Sequence, residues 1–161
     1  MSPSLSQEKA RRRRRLQTTV KESLRQLSTQ LSLLNRQVSV HLDLRDADLA
    51  CLDLINRYGP QSPMGLACLA GLHPATTTGI LDRLERGGWV KRERDPHDRR
   101  GVIVRALQER NVELFRLYGG MNKSMDEMCA GYDEAQLELI QDFLSRMVGI
   151  GQEATEELAG A

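Results

Sequence analysis

Residues 66–107 read LACLAGLHPATTTGILDRLERGGWVKRERDPHDRRGVIVRAL and predict two short helices followed by a β-hairpin. The first helix begins just before this stretch, where Ser62 is suited to the N-cap position, and it ends near Gly71. The second helix begins at Pro74, a residue type favoured at the first helical position, and runs to the glycine pair that starts at Gly87. Two short helices joined by a tight turn predict a helix-turn-helix.

The segments WVKRERD (residues 89–95) and VIVRAL (residues 102–107) are of a different kind. They are short, contain β-branched or aromatic residues and flank the charged turn PHDRRG, so they predict a two-stranded hairpin. A helix-turn-helix followed by such a hairpin is the plan of a winged helix. We therefore expect a mainly α fold with a small β-hairpin, and we assign residues 46–107 to a winged helix-turn-helix domain that opens with a helix from Asp46.

Long apolar seams flank this domain on both sides. Residues 1–15 are polar and then strongly basic, so we expect a disordered arm there. Residues 16–45 predict one helix, and residues 108–161 predict two more, the last starting with a capping box of Asp133 and Gln136. The seams consist of Leu16, Val20, Leu24, Leu27, Leu31, Leu34 and Val38 near the N-terminus and of Leu137, Ile140, Leu144, Met147, Gly151, Ala154 and Leu158 near the C-terminus. Seams of this length favour a partner helix, with packing inside one chain as the alternative.

The net charge of +1 conceals blocks of opposite sign. Residues 1–45 carry 10 basic against 3 acidic side chains, and residues 73–105 carry 8 against 5. Residues 106–161 carry 4 basic against 11 acidic side chains. A basic head and middle with an acidic tail is typical of a nucleic-acid binder that has a separate interaction segment. Segregated solvated faces are the alternative, and charge alone does not decide between the two.

The sequence contains no pattern typical of an enzyme or of a metal site. The three histidines, His41, His73 and His97, are scattered, and no glycine-rich phosphate loop is present. We therefore expect no catalysis, no cofactor and no metal. No run approaches the roughly 18 apolar residues of a membrane helix, and no apolar stretch follows the arginine tract as a signal peptide would require. We expect a cytoplasmic protein that has no contact with a membrane.

Cys51, Cys68 and Cys129 are too few and too scattered for a disulfide framework. All three fall in predicted helices among apolar residues, so we expect buried and inert thiols. A regulator that senses oxidants through one of these cysteines is the alternative.

Residues 66–107 resemble the MarR (multiple antibiotic resistance regulator) family of winged-helix transcription factors. The resemblance rests on D-R-L-E with its following glycines, on D-P-x-D-R-R in the turn and on the apolar return strand. After that strand the sequence departs from the family pattern, because RALQERN stands where Leu-Thr and a nearby Gly are expected. The resemblance implies a DNA-binding transcriptional regulator, most often a repressor, that binds a palindromic operator on double-stranded DNA as a homodimer.

The resemblance makes the second helix of the motif the recognition helix, whose N-terminal residues reach base edges in the major groove. Thr76, Gly79 and Arg83 share one face of this helix by their spacing. Thr76 and Thr77 are placed to hydrogen-bond bases or phosphates, Gly79 to allow close approach of the backbone, and Arg83 to contact a phosphate or a guanine. Capping and surface solubility are the alternative roles for the threonines.

In the wing, the resemblance implies that Arg100 enters the minor groove and that Asp98 braces it. Arg94 and Arg99 are then expected on phosphates. A plain surface salt bridge between Asp98 and Arg100, worth about 0–1 kcal/mol, is the alternative. The full set of predicted DNA contacts is Pro74, Ala75, Thr76, Thr77, Thr78, Gly79, Arg83, Arg94, Asp98, Arg99 and Arg100.

Both chain ends form the dimer interface in the family, so residues 16–45 and 108–161 are assigned to dimerisation. The residues expected in the interface are Leu16, Val20, Leu24, Leu27, Leu31, Ile140, Leu144 and Met147. The arginine tract at residues 11–15 either adds non-specific affinity for phosphates or makes no contact.

A small-molecule inducer is the remaining partner that the resemblance implies. His41, Arg57, Tyr58 and the methionines are candidates to line its cleft, although their spacing identifies no ligand. Two other functions stay open: a protein-interaction module that docks an acidic partner through the hairpin, and an architectural DNA-binding protein without a defined operator.

Overall fold

In the computed structural model, which describes residues 5–96, 98 and 101–159, the described part of the chain forms six helices and two strands. In chain order these are α1 (Leu5–His41), α2 (Asp46–Tyr58), α3 (Pro63–Ala70), α4 (Pro74–Arg86), β1 (Val90–Arg94), β2 (Val102–Ala106), α5 (Gln108–Cys129) and α6 (Glu134–Ala159). The chain divides into two units, one ending at Asp46 and the other beginning at Ala47. None of the described helices is long and apolar enough to cross a membrane. The predicted mainly α fold with a winged helix-turn-helix is confirmed.

The turn between α3 and α4 follows from backbone chemistry at its two ends. At the start of α3, the Ser62 hydroxyl accepts a hydrogen bond of 3.0 Å from the backbone N–H of Gly65. At its end, Gly71 adopts a left-handed conformation (φ 62°) that a residue with a side chain reaches only with strain. The chain then enters α4 through His73, whose Nδ1 accepts a hydrogen bond of 3.2 Å from the N–H of Ala75. The two helices are therefore joined by a short and well-defined turn.

The hairpin is antiparallel, with a register that starts at Val90 opposite Ala106. The connection between α2 and α3 adds one further bridge, because Gln61 and Val104 exchange backbone hydrogen bonds of 3.1 and 2.7 Å. A sharp reversal between α4 and β1 is possible because Gly88 has a positive φ of 72°. These contacts attach the hairpin to the helix-turn-helix on both of its strands.

The core of the second unit is apolar and continuous through the helix-turn-helix and the hairpin. Helix α3 contacts α4 and β2, and α4 contacts β1. The buried apolar side chains of this unit include Leu49, Leu52, Ile55, Leu66, Ile80, Leu81, Leu84, Trp89, Val90, Val104 and Leu114. Removing each such large side chain from water stabilises the fold by about 1.5–3 kcal/mol. The helix-turn-helix and the hairpin therefore form one well-packed body.

Helix α5 is joined to this body by two polar contacts. The guanidinium of Arg110 lies 4.2 Å from the centroid of the buried Trp89 ring, a cation–π arrangement. The side-chain amides of Asn56 in α2 and Asn111 in α5 bond to each other reciprocally, at 2.7 and 3.2 Å. Both contacts involve groups removed from water, so they fix the start of α5 against the winged unit.

The predicted disordered arm is wrong for residues 5–15, which form the first turns of α1. Residues 1–4 lie outside the described part of the chain. Residues 7–15 are Gln, Glu, Lys, Ala and Arg, which are among the strongest helix formers, and neither Gly nor Pro interrupts them. Their exposed guanidinium groups are screened by solvent, so the repulsion between neighbouring arginines does not offset this preference.

Candidate nucleic-acid interface

The N-terminal half of α4 is the part of the helix-turn-helix that is open to solvent. Pro74, Ala75, Thr76 and Thr78 are all exposed. The Thr78 hydroxyl donates a 3.0 Å hydrogen bond to the carbonyl of Pro74, which leaves its methyl group and its oxygen lone pairs available. Small side chains with hydroxyls on the first turns of an exposed helix are suited to contact the edges of bases in a groove.

Thr77 lies on the opposite side of α4, so its predicted DNA contact is a correction. Its side chain is fully buried, and its hydroxyl lies 3.4 Å from the carbonyl of His73, to which it donates. Residue 77 precedes the buried Ile80, Leu81 and Leu84 by three, four and seven positions, which is the spacing of one helical face. The same spacing, applied to the sequence, would have assigned this threonine to the core.

Gly79 occupies an open position in the middle of α4. A Cβ built there would meet only Arg83 Nη1, at 3.7 Å, so no neighbour in the described structure requires a glycine. Glycine inside a helix costs about 1 kcal/mol relative to alanine. An unfavourable residue with no internal reason for its presence supports the expectation that something outside the chain approaches this backbone.

Arg83 was predicted to contact DNA, but its guanidinium is engaged within the protein. Its Nε and Nη2 donate to the two carboxylate oxygens of Asp48 at 3.0 and 2.6 Å, a bidentate pair that joins α4 to α2. The Asp48 side chain is 3% exposed and that of Arg83 is 32% exposed. The hydrogen bond to Asp48 raises the pKa of Arg83. We therefore revise the role of Arg83 from DNA contact to positioning the recognition helix.

A second clamp joins α4 to the hairpin through Arg92, which the sequence did not single out. The guanidinium of Arg92 forms a salt bridge of 2.6 Å with Asp82 and another with Glu85, both in α4. Its backbone N–H donates to Glu85 Oε1 at 3.0 Å. These bonds from Arg92 lower the pKa of Glu85. The only signal in the sequence was the pair of carboxylates three residues apart on one helical face.

The tip of the hairpin carries the charged residues that we expected to touch DNA. Arg94 ends β1 and is exposed, and Asp98 is exposed in the turn. The backbone closes there through the N–H of Asp95 bonded to the carbonyl of Gly101 at 3.0 Å and the N–H of Gly101 bonded to that of Asp98 at 2.9 Å. Arg99 and Arg100 lie outside the described residues. The predicted bracing of Arg100 by Asp98 therefore stays a prediction.

The predicted dimer residues lie on α1 and α6. In α1, Leu16, Val20, Leu27 and Leu31 are exposed, and Leu24 is half-buried. In α6, Ile140 and Leu144 are exposed and Met147 is half-buried. Large apolar side chains repeated along a helix and left in water are typical of surfaces that another chain covers. Their role in a dimer stays a prediction.

The expectation of three buried thiols is wrong for Cys68, which is exposed on α3, and Cys129 is half-buried. Only Cys51 fits it. Burial, with the neighbouring charge of Asp48, raises the pKa of Cys51 to about 11. Position 68 follows the buried Ala67 on a helix of eight residues, so it falls on the outer face of that helix.

The residues considered for an inducer make contacts within their own units. Arg57 pairs with Asp53 at 3.3 Å, and the Tyr58 hydroxyl accepts a hydrogen bond of 3.3 Å from Gln152 in α6. His41 Nδ1 lies 2.9 Å from a backbone carbonyl one helical turn earlier. None of these contacts identifies a ligand.

Comparison with known proteins gives consistent results for sequence and structure. A sequence profile of the MarR family matches residues 44–102. YcgE of Bacillus subtilis, an uncharacterized HTH-type transcriptional regulator, is 33% identical over 146 residues, which are 91% of this chain and 95% of YcgE.

Solved structures share the fold over most of the chain. A MarR family protein from Bacillus stearothermophilus is 20% identical with a TM-score of 0.64, covering 88% of this chain and 97% of its own. The transcriptional regulator Tm0710 from Thermotoga maritima is 22% identical with a TM-score of 0.61, covering 85% of this chain and 96% of its own. At this identity, the likeness of the two structures speaks for the fold alone.

Proposed function

Since this chain belongs to the MarR family of winged helix-turn-helix transcriptional regulators, we propose that it binds a palindromic operator as a homodimer and represses transcription. One observation carries this proposal. The N-terminal half of α4 is exposed and rich in hydroxyls, while its C-terminal half is anchored to α2 by Arg83–Asp48 and to β1 by Arg92. A helix held in this way can enter the major groove without further ordering, which lowers the entropic cost of binding.

The proposed base contacts lie on the exposed face of α4. The hydroxyl of Thr76 can donate to or accept from a base edge, and its methyl group can touch a thymine methyl. Pro74, Ala75 and Thr78 complete the surface that enters the groove, and Gly79 lets the backbone approach the DNA. Thr77 and Arg83 are left out of this set because both side chains are engaged inside the protein.

The hairpin tip is proposed to contact the neighbouring minor groove and phosphates. Arg100 enters the minor groove, Asp98 orients it, and Arg94 and Arg99 bind phosphates. The exposure of Arg94 at the end of β1 supports this arrangement, because no described carboxylate pairs with it. A narrow A·T-rich minor groove concentrates negative potential, so an arginine gains affinity there without a full base code.

A homodimer is proposed because one recognition helix reads only a few base pairs. Two such helices placed a helical turn apart read a palindrome with useful affinity. The exposed apolar seams of α1 and α6 support an interface of this kind. As a regulator without catalytic activity, the protein is proposed to act in the cytoplasm and to release its operator when a small molecule binds.

The experiment that tests this function is selection of duplexes from a random pool, followed by fluorescence anisotropy with the selected sequence. We expect a palindrome bound by two chains. Thr76→Ala should weaken that binding by about tenfold, whereas Ser124→Ala, which removes an exposed hydroxyl from α5, should leave it unchanged. Recovery of no consensus would favour an architectural DNA binder, and binding of no duplex at all would favour a protein-interaction module. Either outcome contradicts the proposal.

A further inference from the structure

Helix α1 carries a basic stripe on the side that faces away from its apolar seam. Each residue advances about 100° around a helix, since a turn holds 3.6 residues. Leu16, Val20, Leu24 and Leu27 share one side on this basis. The basic stripe consists of Arg11, Arg14, Arg15, Lys21 and Arg25, which fall on the other side. A partner chain that covers the seam would therefore leave the stripe open to solvent.

The charges of the basic stripe are not neutralised within the described part of the chain. All five side chains are exposed, and none of Arg11, Arg14, Arg15 and Lys21 forms a described salt bridge. Arg25 approaches Glu22 at 3.5 Å, but both side chains are more than half exposed, and such pairs contribute little. The stripe is thus a surface of unneutralised positive charge on an ordered helix.

Hydroxyl groups accompany the arginines on this part of the helix. Thr18 lies between Arg14 and Arg25 around the axis, and Thr19 lies beside Arg15. Their hydroxyls donate to the carbonyls of Arg14 and Arg15, both at 3.1 Å, so their oxygens keep lone pairs for water or for a donor. The helical backbone is regular at these positions, and the stripe therefore has a fixed spacing along the axis.

We propose that the basic stripe binds the phosphate backbone of duplex DNA as a second, sequence-independent contact surface, an inference that rests on the proposed DNA-binding function. The stripe spans fourteen residues from Arg11 to Arg25, or about 21 Å along the axis. That length corresponds to about six base pairs of duplex at 3.4 Å each. Arginine presents several donors to phosphate oxygens in a planar fork, which suits a row of phosphates.

A membrane surface is less well matched to this helix than DNA. Amphipathic helices that lie on membranes insert Trp, Phe or Leu from the apolar side. Residues 5–41 contain no aromatic residue, and the apolar seam is the surface proposed for dimerisation. A lipid surface would compete with the partner chain for that seam, whereas a DNA duplex would contact only the basic stripe.

The test uses two double variants that remove the same charge from the same tract. R11Q/R14Q neutralises two arginines of the basic stripe, and R12Q/R13Q neutralises two that lie nearer the seam. Glutamine keeps the helix propensity close to that of arginine. Affinity for a 30-base-pair duplex of random sequence is measured by anisotropy between about 50 and 200 mM salt, after sedimentation has shown that each variant keeps the assembly state of the wild type.

We expect R11Q/R14Q to reduce the slope of log K against log salt by about 2, because each lost phosphate contact removes about 0.9. Over that salt range the wild type should lose about tenfold more affinity than this variant. R12Q/R13Q should keep a slope close to that of the wild type. Equal reductions in both variants would show a diffuse effect of net charge and overturn the proposal, as would unchanged slopes in both.

Two further arms identify other causes. Vesicles with anionic lipid are tested with the same proteins, and binding to vesicles together with unchanged DNA slopes would assign the stripe to membranes. The selected palindrome is compared with its scrambled sequence. If wild-type protein distinguishes the two while R11Q/R14Q has an unchanged slope, the second surface is refuted and the regulator function stands. If the wild type binds neither duplex, the proposed function itself fails.

Discussion

The winged unit and the long helices α1 and α6 both have regular apolar periodicity, but only the winged unit buries it. Leu66, Leu81 and Leu84 are inaccessible to solvent, whereas Leu16 and Leu144 are 56% and 45% exposed. The spacing of apolar residues is equally clear in the two regions. Periodicity therefore identifies which face of a helix avoids water, but it does not identify the molecule that covers that face.

The polar contacts of the two regions differ in the same sense. In the winged unit, Arg83 and Arg92 join helices and a strand across the fold. In α1, α5 and α6 the described salt bridges connect residues three or four positions apart on one helix, such as Lys123 with Glu127. Pairs of that kind contribute about 0.3–0.5 kcal/mol each. The winged unit is thus stabilised by its own tertiary contacts, and the long helices depend on a partner for much of theirs.

The largest effect is expected when the same substitution is made in both regions. Leu84→Ala removes a fully buried side chain and should lower the free energy of unfolding by about 4 kcal/mol, at any protein concentration. Leu27→Ala should instead weaken the dimer about tenfold or more, measured by sedimentation, and its effect on unfolding should fall as protein concentration rises. If Leu27→Ala left the assembly state unchanged, the α1 seam would not be a dimer surface.

Arg83→Met should cost about 3 kcal/mol of stability, because it leaves the buried Asp48 carboxylate without its partner. The double variant Asp48→Leu with Arg83→Met replaces the ion pair by apolar side chains and should recover most of that loss in chemical denaturation. Its affinity for the operator should lie within about threefold of the wild type. A stable double variant with affinity reduced a hundredfold would restore Arg83 as a DNA contact.

Arg100→Ala should cost about 1–3 kcal/mol in operator binding without a change in stability, because a wing arginine acts on DNA rather than on the fold. Anisotropy titration and thermal unfolding measure the two quantities. The matched control is Lys91→Ala, an exposed cation on β1 that is not assigned to DNA. An unchanged affinity for Arg100→Ala would remove this residue from the interface.

Gly79→Ala should separate stability from function within the recognition helix. Alanine has room at this position and should stabilise the fold by about 0.5–1 kcal/mol. The added methyl group should weaken operator binding, since it blocks approach of the backbone to the DNA. A variant with higher stability and undiminished affinity would mean that Gly79 does not face the DNA.

The smallest effect is expected at the cysteines. Because the pKa of Cys51 is raised to about 11, only about one thiol in a thousand is ionised at pH 8, and the thiolate is the reactive form. Iodoacetamide should therefore modify the exposed Cys68 well before Cys51, as read by mass spectrometry. Protein with modified Cys68 should keep its DNA affinity. Loss of binding after this modification would support an oxidant-sensing regulator.

Features that depend on neighbours in sequence could be predicted from the sequence. The left-handed Gly71 and the N-cap Ser62 were expected from residue type alone. The capping box also formed as expected, with Asp133 and Gln136 exchanging hydrogen bonds of 2.8 and 3.0 Å. The start of α1 was wrong because like charge was given more weight than helix propensity.

Features that depend on distant residues could not be predicted in the same way. Asp48 and Arg83 are 35 positions apart, and neither periodicity nor local motif connects them. Arg92 lies seven positions after Glu85, across the reversal between helix and strand. The sequence therefore identified the recognition helix and its exposed N-terminal half, but it did not identify the two ion-pair clamps that position the helix.

The most direct test of the central claim, that α4 enters the major groove in a two-fold arrangement, is substitution of 7-deazapurines along the selected duplex. This change removes the N7 acceptor, which lies in the major groove, and leaves base pairing intact. We expect affinity to fall at positions in two half-sites whose centres are about one helical turn, or a multiple of it, apart. Affinity that is unchanged by substitution at every position would contradict readout of the major groove by this helix.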